Sequence, residues 1–194
     1  NNSLIFLNFI NYDKIIIRIE RVMKTIINNK EVEIDNNIRY IDLIEKYQKD
    51  YSYNIVAVKE NNVFVDIYSK VKENANIVFF DYSNKEANKI YVNGLIFMTI
   101  YSIVSLYGED TFINVRHSID KGLFLTVNKK IDVIKIKEKM LEVVESNLAI
   151  TRHSVNRLEA IKYFEKNRLK EKVELLKYST NTYITLYKLG NMYD

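Results

Sequence analysis

Apolar and polar positions alternate over short distances in the first half of the chain. Two runs rich in β-branched residues, 24–28 and 31–34, flank Asn29 and Lys30 and predict a hairpin with a tight turn. Tyr40, Leu43, Ile44 and Tyr47 then fall at i, i+3, i+4 and i+7, one face of a helix that should end near Asp50. Runs at 54–58, 63–67 and 76–82 read as three further strands, and the polar stretch 83–87 as a connector. Residues 88–107 are apolar nearly all round and too long for a strand. They predict a buried helix, with Gly108 just past its end. Runs at 112–117 and 123–127 predict a hairpin turning through Asp120, Lys121 and Gly122. Asp132 is a natural N-cap for a helix whose inward stripe would be Val133, Ile136, Met140, Val143 and Val144. A strand over 148–155, one or two helices over 158–167 and 169–178, and a strand over 182–189 complete the pattern.

Two strands, a helix and three strands give residues 23–82 the order of a β-grasp. The second unit, 88–194, reads α, ββ, α, β, α, β, with helices on one face of an antiparallel sheet. The expected fold class is therefore α+β in two units. Met23 is expected to be the natural start, with residues 1–22 an upstream extension. Residues 1–10 lack the basic start and small-residue cleavage site of a signal peptide and are too short to cross a bilayer, so no membrane contact is expected.

Composition narrows the chemistry. The 47% apolar content suffices for packed cores. With no cysteine, a disulfide framework, a thiolate metal site and a cysteine nucleophile are all excluded, and a cytoplasmic setting fits. The net charge of +4 is modest, but the basic excess falls entirely after residue 150.

The stretch 23–82 resembles, in pattern and length, a TGS domain, the ubiquitin-like module at the start of threonyl-tRNA synthetases. His117-Ser118-Ile119-Asp120-Lys121-Gly122-Leu123-Phe124 resembles the Gly-turn hairpin of the synthetases' second, editing-type (SAD) domain. Leu158-Glu159-Ala160-Ile161-Lys162-Tyr163-Phe164, with Lys172, Leu175 and Leu176, resembles its Glu-Ala-Ile-x-x-Phe helix. The resemblance implies a domain that clears mischarged tRNA with a His-x-x-x-His pair on its first long helix and a Cys and His near its end. Here the helix reads Asn93-Gly94-Leu95-Ile96-Phe97-Met98-Thr99-Ile100 and the closing segment Leu189-Gly190-Asn191-Met192-Tyr193-Asp194, so none of the four groups is present. No catalytic residue is assigned.

The same pair of domains, without editing residues, stands ahead of the P-loop domain in bacterial uridine-kinase-like nucleoside kinases. His117, Ser118, Lys121 and Gly122, and the segment 172–178, look like that family. This favoured resemblance implies a non-catalytic binding or regulatory module, here ending short of a kinase domain beyond Asp194. That domain would use ATP and magnesium on a nucleoside or nucleotide. None of Gly94, Gly108, Gly122 and Gly190 is followed by the Lys and hydroxyl residue of a Walker A loop, so no cofactor is expected on this chain. The alternative is a tRNA-binding segment of a threonyl-tRNA synthetase, or a degenerate editing homologue, with RNA as partner.

His117, Ser118 and Lys121 are candidate ligand or phosphate contacts, because all three side chains can donate to anions. The competing reading is a strand end satisfied locally. Arg152, Arg157 and Arg168, among the lysines of 162–172, are candidate nucleic-acid contacts. Glu159, Glu165, Glu171 and Glu174 are interspersed at ion-pair spacing, which equally suits a solvated helix face. His117 and His153 are the only histidines, too few for a typical zinc site, and no metal site is assigned.

Overall fold

A computed structural model describes residues 22–194 apart from 120 and 121, and the side chains of 117–121 lie outside the description. The extension at 1–22 falls almost wholly outside the described residues. The chain divides into two compact units, one ending at Tyr91 and one running from Val92 to Asp194. The division falls inside a single long helix.

In the first unit, β1 (Val22–Ile27) and β2 (Lys30–Asp35) form the expected hairpin, but its turn is Asn28-Asn29 rather than Asn29-Lys30. Both asparagines have positive φ, 49° and 64°, the backbone that a two-residue hairpin turn requires. Asn61 and Asn62 repeat this, at 49° and 67°, between β3 (Ile55–Glu60) and β4 (Val63–Phe64). Asparagine does here what glycine commonly does, in a chain with only four glycines. The strand expected over 63–67 stops at Phe64. Beyond it Ile67 and Ser69 direct their carbonyls to the first amides of α1 (Tyr40–Tyr47), so this backbone caps a helix instead of extending a ladder.

With β5 (Asn76–Asp81) the sheet order is β2-β1-β5-β3-β4, with β1 parallel to β5 at the centre and every other pairing antiparallel. Tyr40, Leu43 and Ile44 of α1 pack into a core with Ile27, Ile34, Val58, Ile77 and Phe79. Glu60 is buried at the edge of this core and accepts from the Tyr40 hydroxyl and from Lys72 Nζ (2.7 Å). Burial pushes the Glu60 carboxyl up, but these two donors outweigh it and leave the group below the usual carboxylate range.

The connector expected at 83–87 is shorter in the structure. Asn84 caps a helix, its side chain accepting from the amides of Glu86 (2.9 Å) and Ala87 (3.1 Å), so α2 spans Lys85–Tyr107. This helix is long and apolar enough to cross a membrane by length and composition, yet Phe97 and Ile103 are buried within the protein. Its burial is also less complete than its sequence suggests, since Ile90, Tyr91 and Leu106 are exposed.

In the second unit β6 (Ile113–Ile119) and β7 (Gly122–Val127) pair as a separate two-stranded ribbon. Then come α3 (Val133–Glu145), β8 (Thr151–Asn156), α4 (Arg157–Lys166), α5 (Lys170–Tyr178), β9 (Tyr183–Leu189) and β10 (Met192–Tyr193). The three strands form an antiparallel sheet in the order β10-β9-β8. Asp132 caps α3 as expected, through Ile134 N at 2.9 Å. The inward stripe of α3 differs from expectation: Ile136 and Val143 are buried, whereas Val133 and Val144 face solvent.

Candidate functional site

Residues alternate across β8 and β9 and divide the three-stranded sheet into two chemically different faces. Val155, Ile184 and Leu186 turn towards Ala160 and Phe164 of α4 and Val173 of α5, one hydrophobic cluster. His153 lies on this inner side. Its Nε2 is 2.8 Å from Thr151 Oγ1, and its ring meets the Tyr193 ring edge-on at 5.9 Å.

The other face is open. Arg152 pairs with Tyr187, Ser154 with Thr185, and Asn156 with Tyr183 across the β8–β9 ladder. Arg152, Ser154, Tyr183, Thr185 and Tyr187 are all exposed, and Arg152 Nη2 reaches Thr185 Oγ1 at 3.5 Å. A guanidinium, two hydroxyls and two phenol rings on one rigid surface can meet phosphates and stack with bases at once.

The remaining arginines are placed differently. Arg157 is half-buried, with part of its guanidinium engaged within the unit. Its Nη1 donates to the Leu176 carbonyl at 3.2 Å, its amide bonds to Thr182 O at 2.9 Å, and its Nε is buried without a protein partner. Arg168 is exposed on the turn between α4 and α5, with φ 58°. Around it, Lys177 pairs with Glu174 (2.7 Å) and Lys172 with Asp194, so part of this basic stretch is locally neutralised. Burial against Phe164 pushes the Lys172 ammonium down to about 8. The side chains of His117, Ser118 and Lys121 lie outside the described residues.

Where the resemblance would put editing chemistry, two walls do meet. Phe97, Met98 and Tyr101 of α2 pack with Val143, Ile150, Leu189 and Met192 in one apolar cluster. Gly190, at φ 59°, leaves room for the Tyr101 ring; a Cβ there would lie 2.8 Å from the phenol oxygen. The hydroxyls on this stretch of α2 are turned to their own helix: Thr99 donates to Leu95 O and Ser102 to Met98 O, both at 2.8 Å. Among the described residues no group of three His, Asp or Glu side chains could hold a metal ion.

The first unit carries a surface that sequence spacing did not reveal. Tyr53, Tyr82 and Tyr91, distant in sequence and all exposed, form a ladder with centroid separations of 4.8 and 6.0 Å. Exposed Lys85 and Lys89 lie on the adjoining first turns of α2.

No family model matches the chain. Among curated proteins it is similar to threonine–tRNA ligases. That of Clostridium kluyveri is 25% identical over 173 residues, which cover 86% of this chain and 27% of the relative. That of a Sulfurihydrogenibium species is 25% identical over 175 residues, with the same shares. That of Campylobacter jejuni is 29% identical over 145 residues, 72% of this chain and 23% of the relative. The chain spans about a quarter of the length of these relatives. They support the synthetase alternative over the nucleoside-kinase reading favoured from sequence, and lend the kinase none.

Proposed function

We propose that this chain is a non-catalytic, tRNA-binding segment related to the N-terminal region of threonyl-tRNA synthetases, with a TGS-type β-grasp followed by a degenerate editing-type domain. The β2-β1-β5-β3-β4 order, with a parallel central pair and one packed helix, supports the β-grasp assignment. The observation that carries the reading is the corner between α2 and residues 189–192. In a chain similar to tRNA ligases, the place for hydrolytic groups is filled by Phe97, Met98, Tyr101, Leu189 and Met192. Such a domain keeps a surface for RNA and has lost the bases and donors that hydrolysis requires. The open β8–β9 face, through Arg152 and Tyr187, is that surface, and the cytoplasm is the setting.

Binding of a threonine tRNA transcript tests this, measured by filter retention or fluorescence anisotropy at several salt concentrations. Binding should weaken as salt rises. Arg152→Ala with Tyr187→Ala should lower affinity by about 10- to 100-fold, one phosphate contact and one stack. An affinity for tRNA unchanged in that double variant, or no binding at low salt, sinks the proposal. A nucleoside-kinase parent rests on 117–122 and 172–178; a Gly-Lys-Ser or Gly-Lys-Thr loop encoded beyond Asp194 would restore it, and a class II synthetase core would end it.

A further inference from the structure

The covered face of the three-stranded sheet ends in a polar row. Thr151 on β8 lies directly across the ladder from Lys188 on β9, and Lys188 across from Tyr193 on β10. Residues opposed in this way share one side of a sheet. His153, two positions along β8 from Thr151, is on that side as well. All four are half-buried, and Tyr193 packs against the cluster of Ala160, Phe164, Val173 and Leu186.

These side chains hold one another in place. Thr151 Oγ1 and His153 Nε2 are 2.8 Å apart, and the His153 ring meets the Tyr193 ring edge-on at 5.9 Å. Lys188 Nζ stands 5.4 Å from the centre of the same ring. Tyr193 is itself fixed, because its amide donates to the Tyr163 hydroxyl at 3.0 Å and the two rings meet edge-on at 5.2 Å. Lys188 takes part in no ion pair found among the described residues, and Asp194, the carboxylate that follows Tyr193, is engaged by Lys172.

A half-buried ammonium resting on a ring is short of an acceptor. When His153 donates through Nε2 to Thr151 Oγ1, the threonine hydroxyl keeps its own proton for another acceptor. Thr151 and Lys188 then offer a hydroxyl and an ammonium from facing strands, and both can donate to separate oxygens of one anion. A tetrahedral group with several charged oxygens suits donors spread over two strands. We propose that Thr151 and Lys188 bind a phosphate group at this corner of the sheet, with His153 orienting the threonine hydroxyl. The site lies on the opposite face of the sheet from Arg152 and Tyr187, and it does not depend on the tRNA reading.

Proton NMR reads the site directly, because the chain has two histidines and His117→Ala leaves only the His153 ring signals. Inorganic phosphate titrated into the full chain, at fixed pH and ionic strength, should shift those signals with a dissociation constant of about 1 to 10 mM. Chloride should leave them in place. Lys188→Met and Thr151→Val should each weaken the response by about tenfold, whereas Lys188→Arg should keep it. Two further titrations separate the sources of the phosphate. A shift with adenosine 5′-monophosphate assigns a terminal phosphate, and a shift with a short RNA lacking terminal phosphates assigns the backbone. His153 signals that ignore inorganic phosphate, or that follow it equally in Lys188→Met and Thr151→Val, overturn the proposal. So does a response to inorganic phosphate that neither nucleotide source reproduces.

Discussion

Lys172 is held over the Phe164 ring at 5.4 Å, beside the Asp194 carboxylate. Burial lowers its pKa from 10.5 to about 8, so the unfolded chain holds this proton more tightly than the folded one. Between about pH 8 and pH 10, unfolding therefore takes up a proton, and stability rises with pH across that window. Above it Tyr40 acts in reverse: burial and its bond to Glu60 raise its pKa well above 10.0, so the unfolded chain loses that proton first. Urea midpoints at pH 7.5, 8.5 and 9.5 should climb in the native chain, and Lys172→Met should flatten the climb. A slope equal in both proteins would remove Lys172 as its cause.

At the scale of elements, the β9–β10 corner depends on the fit between Gly190 and Tyr101. Gly190→Ala must place a Cβ at 2.8 Å from the Tyr101 oxygen and keep a φ of 59°, which is costly for any residue with a Cβ. The expected loss is about 2–4 kcal/mol, of which about 1–2 kcal/mol is backbone strain. In a Tyr101→Leu background the steric part should vanish and only the backbone part remain. A double-mutant cycle by urea denaturation checks this, and additivity would show that the two residues do not share the corner. Periodicity found α3 but not its orientation. The spacing of Val133, Ile136, Met140, Val143 and Val144 predicted one inward stripe, whereas the helix carries two apolar faces and only that of Ile136 and Val143 is buried. A helix apolar on two sides does not reveal from sequence which side its own unit covers.

At the scale of the whole molecule, the proposed degenerate editing corner, between α2 and residues 189–192, is lined by apolar side chains. The chain should therefore release no serine from seryl-tRNA for threonine, since losing general acid–base groups costs on the order of 10² to 10⁴ in rate for each function. Release should match a no-protein control in the native chain and in His117→Ala. Turnover that His117→Ala abolishes would show that this histidine supplies a replacement base.

The kinds of element were legible along the chain because each has its own apolar period. The absence of Cys, of a Walker A loop and of a histidine pair followed from residue identity alone. Some local details escaped because short polar side chains decide them: Asn28 and Asn29 moved a turn by one position, and Asn84 started α2 three residues early. What only tertiary structure decided is which residues meet. Arg152 and Tyr187 are 35 positions apart and become partners solely through the β8–β9 register. Arg157 matches Arg152 in composition and neighbourhood, yet its Nη1 is drawn to the Leu176 carbonyl. Tyr53, Tyr82 and Tyr91 join only when their separate elements are brought together. Local sequence sets the conformational preference of a segment. Register and packing are settled by contacts between segments distant along the chain, and those contacts exist only in the folded protein.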